Sequence, residues 1–455
     1  MEKQKVVIVG ASHGGHEAAF EILDRYKNVD VTVLEAGDFV SFMSCGMKLF
    51  LEGKTTGMDN VRNFKPEDLT KVGGKIFNNT KATKLNPDKK TVTVTHTDSG
   101  KNEEIKYDKL IISSGVNPAK LPLPGIDLKN VLLMRGYDWA KKINDAQHDD
   151  SIKNVAVIGA GNGIAAAEVF EKAGKNVTLI DAGHKPLENY LNDDFTDVFE
   201  KELKKNNVKL AMDTKVEGFK GNGKVETITT NKGDIKTDLV IIAVGITPNT
   251  DWIKGTVDLD KRGYIKTNDY LKTNVDDVFA IGDAIFPFNI PANTKVPIPS
   301  AIAARHEAQY VSEHLFEEKP SRPFKGIVGA QLLEVFNAHA ITTGLSEKNA
   351  KRAGINAKEV VLKDHLRPDY IPDSDNPECY ISIVFNQDTH QVLGGSVLSS
   401  YDISGEANVL SLAIRSKLTL EDLAEADFFF SPTYDKQWNL VNLVAQKALN
   451  LYKIV

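Results

Sequence analysis

Two stretches of the chain carry the same pattern of apolar and polar positions. KVVIVG, residues 5–10, is an unbroken apolar run closed by glycine, and HEAAFEILDRY and then VDVTVLE, residues 29–35, follow it. NVAVIG, residues 154–159, leads in the same way through an alanine-rich segment to NVTLID, residues 176–181. A short apolar run bounded by glycine reads as a buried strand, and the longer segment after it as a helix. Each stretch therefore predicts a strand, a tight turn, a helix and a second strand that ends on an acid, the opening of a parallel α/β unit. YDKLIISSGVNP and TDLVIIAVGITPNT add apolar strands that run into glycine and a proline-containing turn, and DVFAIGDA adds another. Beyond about residue 326 the pattern changes to the alternating strands ECYISIVF and QVLGGSVLSS with helices and no such glycine turn.

These elements predict an α/β chain of two Rossmann-like dinucleotide-binding domains plus a C-terminal α+β dimerisation domain. The first nucleotide domain is expected in two pieces, residues 1–120 and 247–325, interrupted by the second at 121–246. The C-terminal domain takes residues 326–455. A chain of 455 residues is long enough for two or three such cores. No low-complexity segment and no repeat beyond the two units interrupts this plan.

Composition adds exclusions. The chain is 41% hydrophobic and 26% charged with a net charge of -6 and no basic block, which disfavours nucleic acid or an anionic membrane as partner. No apolar run reaches the roughly 18 residues needed to span a bilayer, and the N-terminal run is too short for a secretory signal. Two cysteines far apart do not make a disulfide framework and fit a reducing cytoplasm. A cytoplasmic protein without a metal site is expected.

The glycine turns carry the nucleotide chemistry. In GASHGG, Gly10 makes the turn, Ser12 stands where a middle glycine is usual, and Gly15 lets helix and strand pack, so that the helix N-terminus receives a pyrophosphate. Glu35 lies where a carboxylate holds ribose hydroxyls. Asp181 ends the corresponding strand of the second unit and favours a free 2′-hydroxyl over a 2′-phosphate, hence NADH over NADPH. Two units suggest two nucleotides, a flavin and a nicotinamide. Asp283, directly after a buried strand, meets a flavin's ribityl or phosphate region or else caps the next helix.

Cys45 lies in SFMSCGMKLFLEG, just after small residues and before an amphipathic helix. That setting suits a reactive thiolate, which helix N–H groups stabilise, but a buried structural cysteine is also consistent with it. Cys379, in an alternating strand, reads as a packing residue.

The motifs ASHGG, SFMSCGM, KLIISSG, LMRGYDWA, IGDA and FFFSPTYDKQWN, in this order over essentially the whole chain, resemble the flavin-dependent NADH peroxidases and water-forming NADH oxidases, relatives of the coenzyme A-disulfide reductases. The resemblance implies FAD and NADH as cofactors and a Cys45 that cycles between thiolate and sulfenic acid, with hydrogen peroxide or dioxygen as oxidant. An isolated thiol suits this chemistry, because a neighbouring one would condense with the sulfenic acid; Val40 and Phe50 flank Cys45 at the five-residue spacing. It further implies that His13 faces the cysteine, that Arg305 in PIPSAIAARHEAQ approaches His13 unless it is only a solvated helix face, and that FAD is held by Gly10, Ser12, Gly14, Gly15, Glu35, Ser44, Ser114, Gly115, Arg135, Gly282 and Asp283. NADH falls to Gly159, Gly161, Gly163, Asp181 and Gly245. FFFSPTYDKQWN resembles the interface of a homodimer or higher homo-oligomer, although three aromatics in a row also suit a core.

Peroxide is the expected oxidant, because the resemblance puts Arg305 where the peroxidases carry arginine and some oxidases an apolar residue, and ASHGG is closer to the peroxidase turn; an arginine near His13 and a sulfenate would stabilise developing negative charge. Dioxygen is the alternative. A third reading, a redox flavoprotein with impaired NADH binding, comes from the second glycine turn. Relatives read GxGYIGxExAE there and this chain reads GAGNGIAAAE, one residue shorter, with Asn162 and Ala165 in place of the tyrosine and first glutamate. Two registers fit: Gly159, Gly161 and a shifted Gly163, or Gly161, Gly163 and Ala166. A deletion inside the helix rotates every later side chain by about 100°, while a loop absorbs it. GIVGAQLLEVFN also departs from a Ser-Ser-Gly run in relatives.

Overall fold

A computed structural model describes residues 2–451 of the chain. The first sheet is parallel, in the order 278–280, 109–112, Gln4–Val9, Val29–Leu34, Lys75–Phe77. Its central strand is buried on both faces from Val6 to Val9, as covering helices require. The second sheet repeats the winding with strands Lys209–Ala211, Asn176–Ile180, Asn154–Ile158, Leu239–Ile242 and Val131–Leu133. Each carries a three-stranded antiparallel annex, at 80–106 and 216–236.

The two units interlock through their outer strands. The first sheet draws its last strand, Val278–Ala280, from beyond the second unit, and the second draws Val131–Leu133 from before its own glycine turn. The chain thus leaves the first unit and returns to it, and the outgoing Val116–Pro118 pairs antiparallel with the returning Ile246–Pro248. The expected α/β class with a C-terminal α+β part is what the structure has. The third sheet is antiparallel, in the order Ala330–Val335, Ala338–Gly344, Val392–Ser399, Glu378–Asn386, Ala357–His365. Helices Ser404–Ser416 and Leu440–Ala448 bury Leu410, Ile414, Leu440 and Val444 against it.

An ion network ties the three parts together. Lys48 Nζ, just after the Cys45 turn, lies 2.9 Å from Glu168 of the second unit's helix and 2.8 Å from Glu334 of the third sheet. Lys172 bridges Glu168 and Glu52. Glu168 is only 2% exposed, so its charge depends on these two lysines. Among the described residues no helix is long and apolar enough to cross a membrane.

Of the aromatics in FFFSPTYDKQWN, Phe428 packs against the core of the third part, while the others are open. Phe429 is 71% and Trp438 53% exposed, with Phe430 and Tyr434 also open, which leaves an apolar face for a partner.

Candidate active site

The site starts where three neighbouring parallel strands end. Gln4–Val9 runs into Gly10, Lys109–Ile112 into Ser113, and Val278–Ala280 into Ile281 and Gly282, all at the same edge of the first sheet. Gly10 has φ +102°, and a Cβ there would lie 2.2 Å from Ser113 O. A Cβ on Gly15 would lie 1.8 Å from Gly10 O, so only glycine lets helix His13–Arg25 start against the strand. Gly14 faces Ser113 Oγ in the same way, at 2.9 Å. Ser12 caps the helix by backbone position and leaves its side chain free of the cap.

Around this cradle stand the other predicted residues. Glu35 accepts the N–H groups of Ala11 (3.1 Å) and Gly37 (3.0 Å), and burial raises its pKa against those bonds. Gly115 and Gly282 are left-handed at φ +62° and +74°. Asp283 pairs with Arg135 at 2.6 Å instead of capping a helix. Ser114 Oγ is buried without a hydrogen-bond partner, a polar atom that a ligand in the cradle would satisfy. The set fits a dinucleotide cofactor: glycines for close approach, a helix N-terminus for the pyrophosphate, carboxylates for hydroxyls.

Cys45 sits in the single turn Ser44–Gly46, exposed, immediately before helix Met47–Leu51, which has only five residues. Its Sγ makes no hydrogen bond among the described residues. Gly46 is packed against Val61, where a Cβ would come within 2.7 Å of Cγ1. Cys379 is buried, its Sγ 3.4 Å from Ser399 Oγ, and burial pushes its thiol up to about 11, which makes it inert as a nucleophile.

His13 opens the first helix with Nδ1 buried and unpartnered. Burial, then the Arg305 charge, lowers its pKa, so its imidazole is neutral at neutral pH and offers one N–H. Arg305 lies on helix Ala301–His314, and its Nη1 is 2.6 Å from Glu17 while its Nη2 donates to Asn63 Oδ1 at 3.2 Å. Asn63 in turn donates to Ser41 Oγ at 3.2 Å, linking this helix to the Cys45 segment. The solvated-face alternative for Arg305 is thereby excluded, but its charge is already paired.

Four neighbours escaped the sequence reading. His16 stacks on Phe64 at 4.8 Å and is lowered to about 4 by burial and Arg305. Glu17 holds both Arg305 and Gln309. Asn63 is the third. Glu307, 1% exposed, accepts the Gly282 N–H at 2.6 Å and is pushed up to about 8 by burial, so it is protonated at neutral pH. The only signal in the sequence was helical spacing, His16 and Glu17 lying one turn from His13.

His16 has a measurable consequence. An unfolded histidine titrates near 6.5 and the folded one near 4, so the unfolded chain binds the proton first and stability falls as pH drops from about 6.5 toward 4. At pH 5 this costs about 1 kcal/mol after screening. His16→Phe is expected to lose less stability between pH 7 and pH 5 than the native chain in parallel urea titrations; equal losses would assign the acid sensitivity elsewhere.

The second turn resolves its register. Gly159 has φ +106°, and a Cβ there would meet Ala243 O at 2.5 Å; a Cβ on Gly163 would meet Gly159 O at 2.1 Å. These are the relations of Gly10 and Gly15 one residue closer together, so Gly159, Gly161 and Gly163 form the turn and the register through Ala166 is excluded. The loop absorbs the missing residue, and helix Ile164–Lys172 keeps its packing. Gly161 lies under the Tyr190 ring, 3.2 Å from where its Cβ would be. Asp181 accepts the Ala160 N–H at 2.6 Å and the Gly183 N–H at 2.7 Å, as Glu35 does in the first unit. Gly245, at φ +126°, follows the adjoining strand.

Comparison with known proteins agrees with this geometry. Residues 4–308 match the model of the pyridine nucleotide-disulphide oxidoreductases, and residues 335–441 that of their dimerisation domain. An NADH oxidase of Enterococcus faecalis is 37% identical over 98% of this chain and 99% of its own length. One of Streptococcus pyogenes is 31% identical over 97% and 98%. Among solved structures, the water-forming NADH oxidase of Lactobacillus brevis bound to NADH superposes with a TM-score of 0.93 at 36% identity, covering 98% of both chains.

Proposed function

Since the chain belongs to the pyridine nucleotide-disulphide oxidoreductase family, we propose that it is an FAD-dependent, water-forming NADH oxidase with Cys45 as its redox-active thiol. The observation that carries this reading is the solitary, exposed Cys45, in a segment tied through Ser41 and Asn63 to Arg305, with the only other cysteine buried in another sheet. In this reading residues 1–120 and 247–325 hold FAD, residues 121–246 hold NADH, and the exposed aromatics near residue 430 form a homodimer face in 326–455.

The relatives favour dioxygen over the peroxide expected from the sequence; Arg305, engaged by Glu17 and Asn63, is not a free cation for the anion that leaves with either oxidant. The full-length relatives above bear the name NADH oxidase, and the Lactobacillus brevis enzyme is water-forming. The impaired-binding reading loses ground because the shortened turn keeps its glycine packing and its acid.

FAD, when bound, supplies the means to pass a hydride's two electrons from NADH to oxygen. It would rest on Gly10, Gly14 and Gly15, with Glu35 at the ribose, Ser114 and Gly115 along the cradle, Ser44 in the Cys45 turn, and Asp283 held by Arg135 and steadied through Gly282 by Glu307. Cys45 handles the second half of the reduction. Its thiolate attacks one oxygen of bound peroxide, the O–O bond breaks, sulfur becomes the sulfenic acid, and hydroxide leaves and takes a proton to become water. Two further electrons from NADH return the thiolate and release the second oxygen as water. His13, neutral, orients this exchange by donating its one N–H to the departing oxygen.

The expected result is consumption of two NADH per dioxygen with no peroxide released, read with an oxygen electrode and NADH absorbance. Vigorous anaerobic NADH turnover with added peroxide, against slight turnover with oxygen, would return the assignment to peroxidase.

A further inference from the structure

The loop after the second unit's acid carries a second carboxylate aimed at the same place. Resting on the reading of this unit as the NADH site, we propose that Glu188 is a specificity-determining residue that excludes the 2′-phosphate of NADPH independently of Asp181.

The geometry is local and specific. A Cβ on Gly183 would lie 2.5 Å from Glu188 Oε1 and 3.1 Å from Asp181 Oδ1, so the two carboxylates converge on one point and leave room only for glycine. Glu188 is fixed there because its Oε2 accepts the N–H groups of His184 (3.0 Å) and Lys185 (3.4 Å). Asp181 is fixed by the N–H groups of Ala160 and Gly183. The ribose of a dinucleotide whose pyrophosphate lies on the Gly159–Gly163 turn comes to the end of strand Asn176–Ile180, where Asp181 stands.

The cations of this loop are engaged elsewhere. Lys185 pairs with Asp193 and Asp197, at 3.3 and 2.7 Å. His184 turns to Asp213 at 3.0 Å. Among the described residues neither Asp181 nor Glu188 has an ion-pair partner. A 2′-hydroxyl can donate to either carboxylate, whereas a 2′-phosphate would bring two negative charges against two carboxylates without ion-pair partners, the loop's His184 and Lys185 being engaged by other acids. Removing Asp181 alone leaves half of that repulsion in place.

The test is a binding titration of the oxidised, flavin-loaded protein with NAD+ and NADP+, which needs no turnover and so stands apart from the choice of oxidant. Glu188→Gln keeps an oxygen to accept the His184 N–H while removing the charge. It should raise the affinity for NADP+ relative to NAD+ about tenfold, the order expected for one unit charge several ångströms from a phosphate in a partly solvated loop. The double variant Asp181→Ser with Glu188→Gln should exceed either single one, and added salt should narrow the native preference more than that of Glu188→Gln. A ratio unchanged by Glu188→Gln, or equal salt dependence in both proteins, overturns the proposal. Absence of oxidase activity in the native protein, with the shifted ratio intact, would count against the oxidase reading and leave the role of Glu188 standing.

Discussion

Replacing Cys45 by serine is expected to halve the electrons delivered to each dioxygen, with one NADH consumed in place of two and hydrogen peroxide accumulating where the native protein is expected to release water. The serine hydroxyl has too high a pKa to supply a nucleophile at neutral pH, so the O–O bond of peroxide is not broken at this position. The flavin should remain bound, because Cys45 makes no hydrogen bond among the described residues and its turn is set by Gly46 against Val61. A peroxide assay beside an oxygen electrode reads the change. If the serine variant still makes water at the native stoichiometry, Cys45 is a surface residue and the thiol chemistry assigned to it is wrong.

The second large effect concerns the shortened glycine turn. Gly163→Ala should abolish productive NADH binding, raising its dissociation constant by well over tenfold, because the new methyl would lie 2.1 Å from Gly159 O and 3.0 Å from Val157 Cγ1. Backbone cannot yield there without moving helix Ile164–Lys172 off its strand, and close contacts of this kind cost on the order of 1–3 kcal/mol even where the core adjusts. Ala166→Gly, on the same helix, should cost only about 1 kcal/mol of stability through backbone entropy and leave coenzyme binding in place. Titration of NADH into both flavin-loaded proteins separates them. The opposite ranking would mean that the turn uses Gly161, Gly163 and Ala166 after all. Hydride transfer depends on alignment, and with Asn162 and Ala165 replacing a tyrosine and a glutamate, flavin reduction in the native protein should be slow relative to its binding of NADH. Stopped-flow mixing measures this directly.

The features legible in the sequence were the local ones. Gly10, Gly15, Gly159 and the terminal acids Glu35 and Asp181 follow from a strand, a tight turn and a helix in succession, and each shows the packing that the pattern demands. The surroundings of His13 could not be read in this way. Glu17 and Arg305 are 288 residues apart and meet only because helices His13–Arg25 and Ala301–His314 pack together. Glu307 looks like an ordinary exposed helix residue until the Gly282 turn is laid over it. The register of the second turn was ambiguous for another reason: a deletion can be absorbed by loop or helix with the same letters, and only the contact of Gly163 with Gly159 O decides between them. Cys45 is the exposed cysteine and Cys379 the buried one, but the helix that follows Cys45 has only five residues and is not an extended dipole.

The network of Lys48, Lys172, Glu52, Glu168 and Glu334 bears on how such a chain can be recombined. Its charges come from all three parts, and the nearly buried Glu168 is neutralised only by lysines at both ends of the arrangement. The second parallel unit, cut out and grafted into another protein, would keep Lys172 but leave Lys48 behind, and with it half of the compensation for Glu168, at a cost of several kcal/mol. The interlocked outer strands impose the same restriction on the backbone. The three parts are therefore coupled, and a chimera between this chain and a relative should exchange the segments around residues 48, 168 and 334 together or none of them.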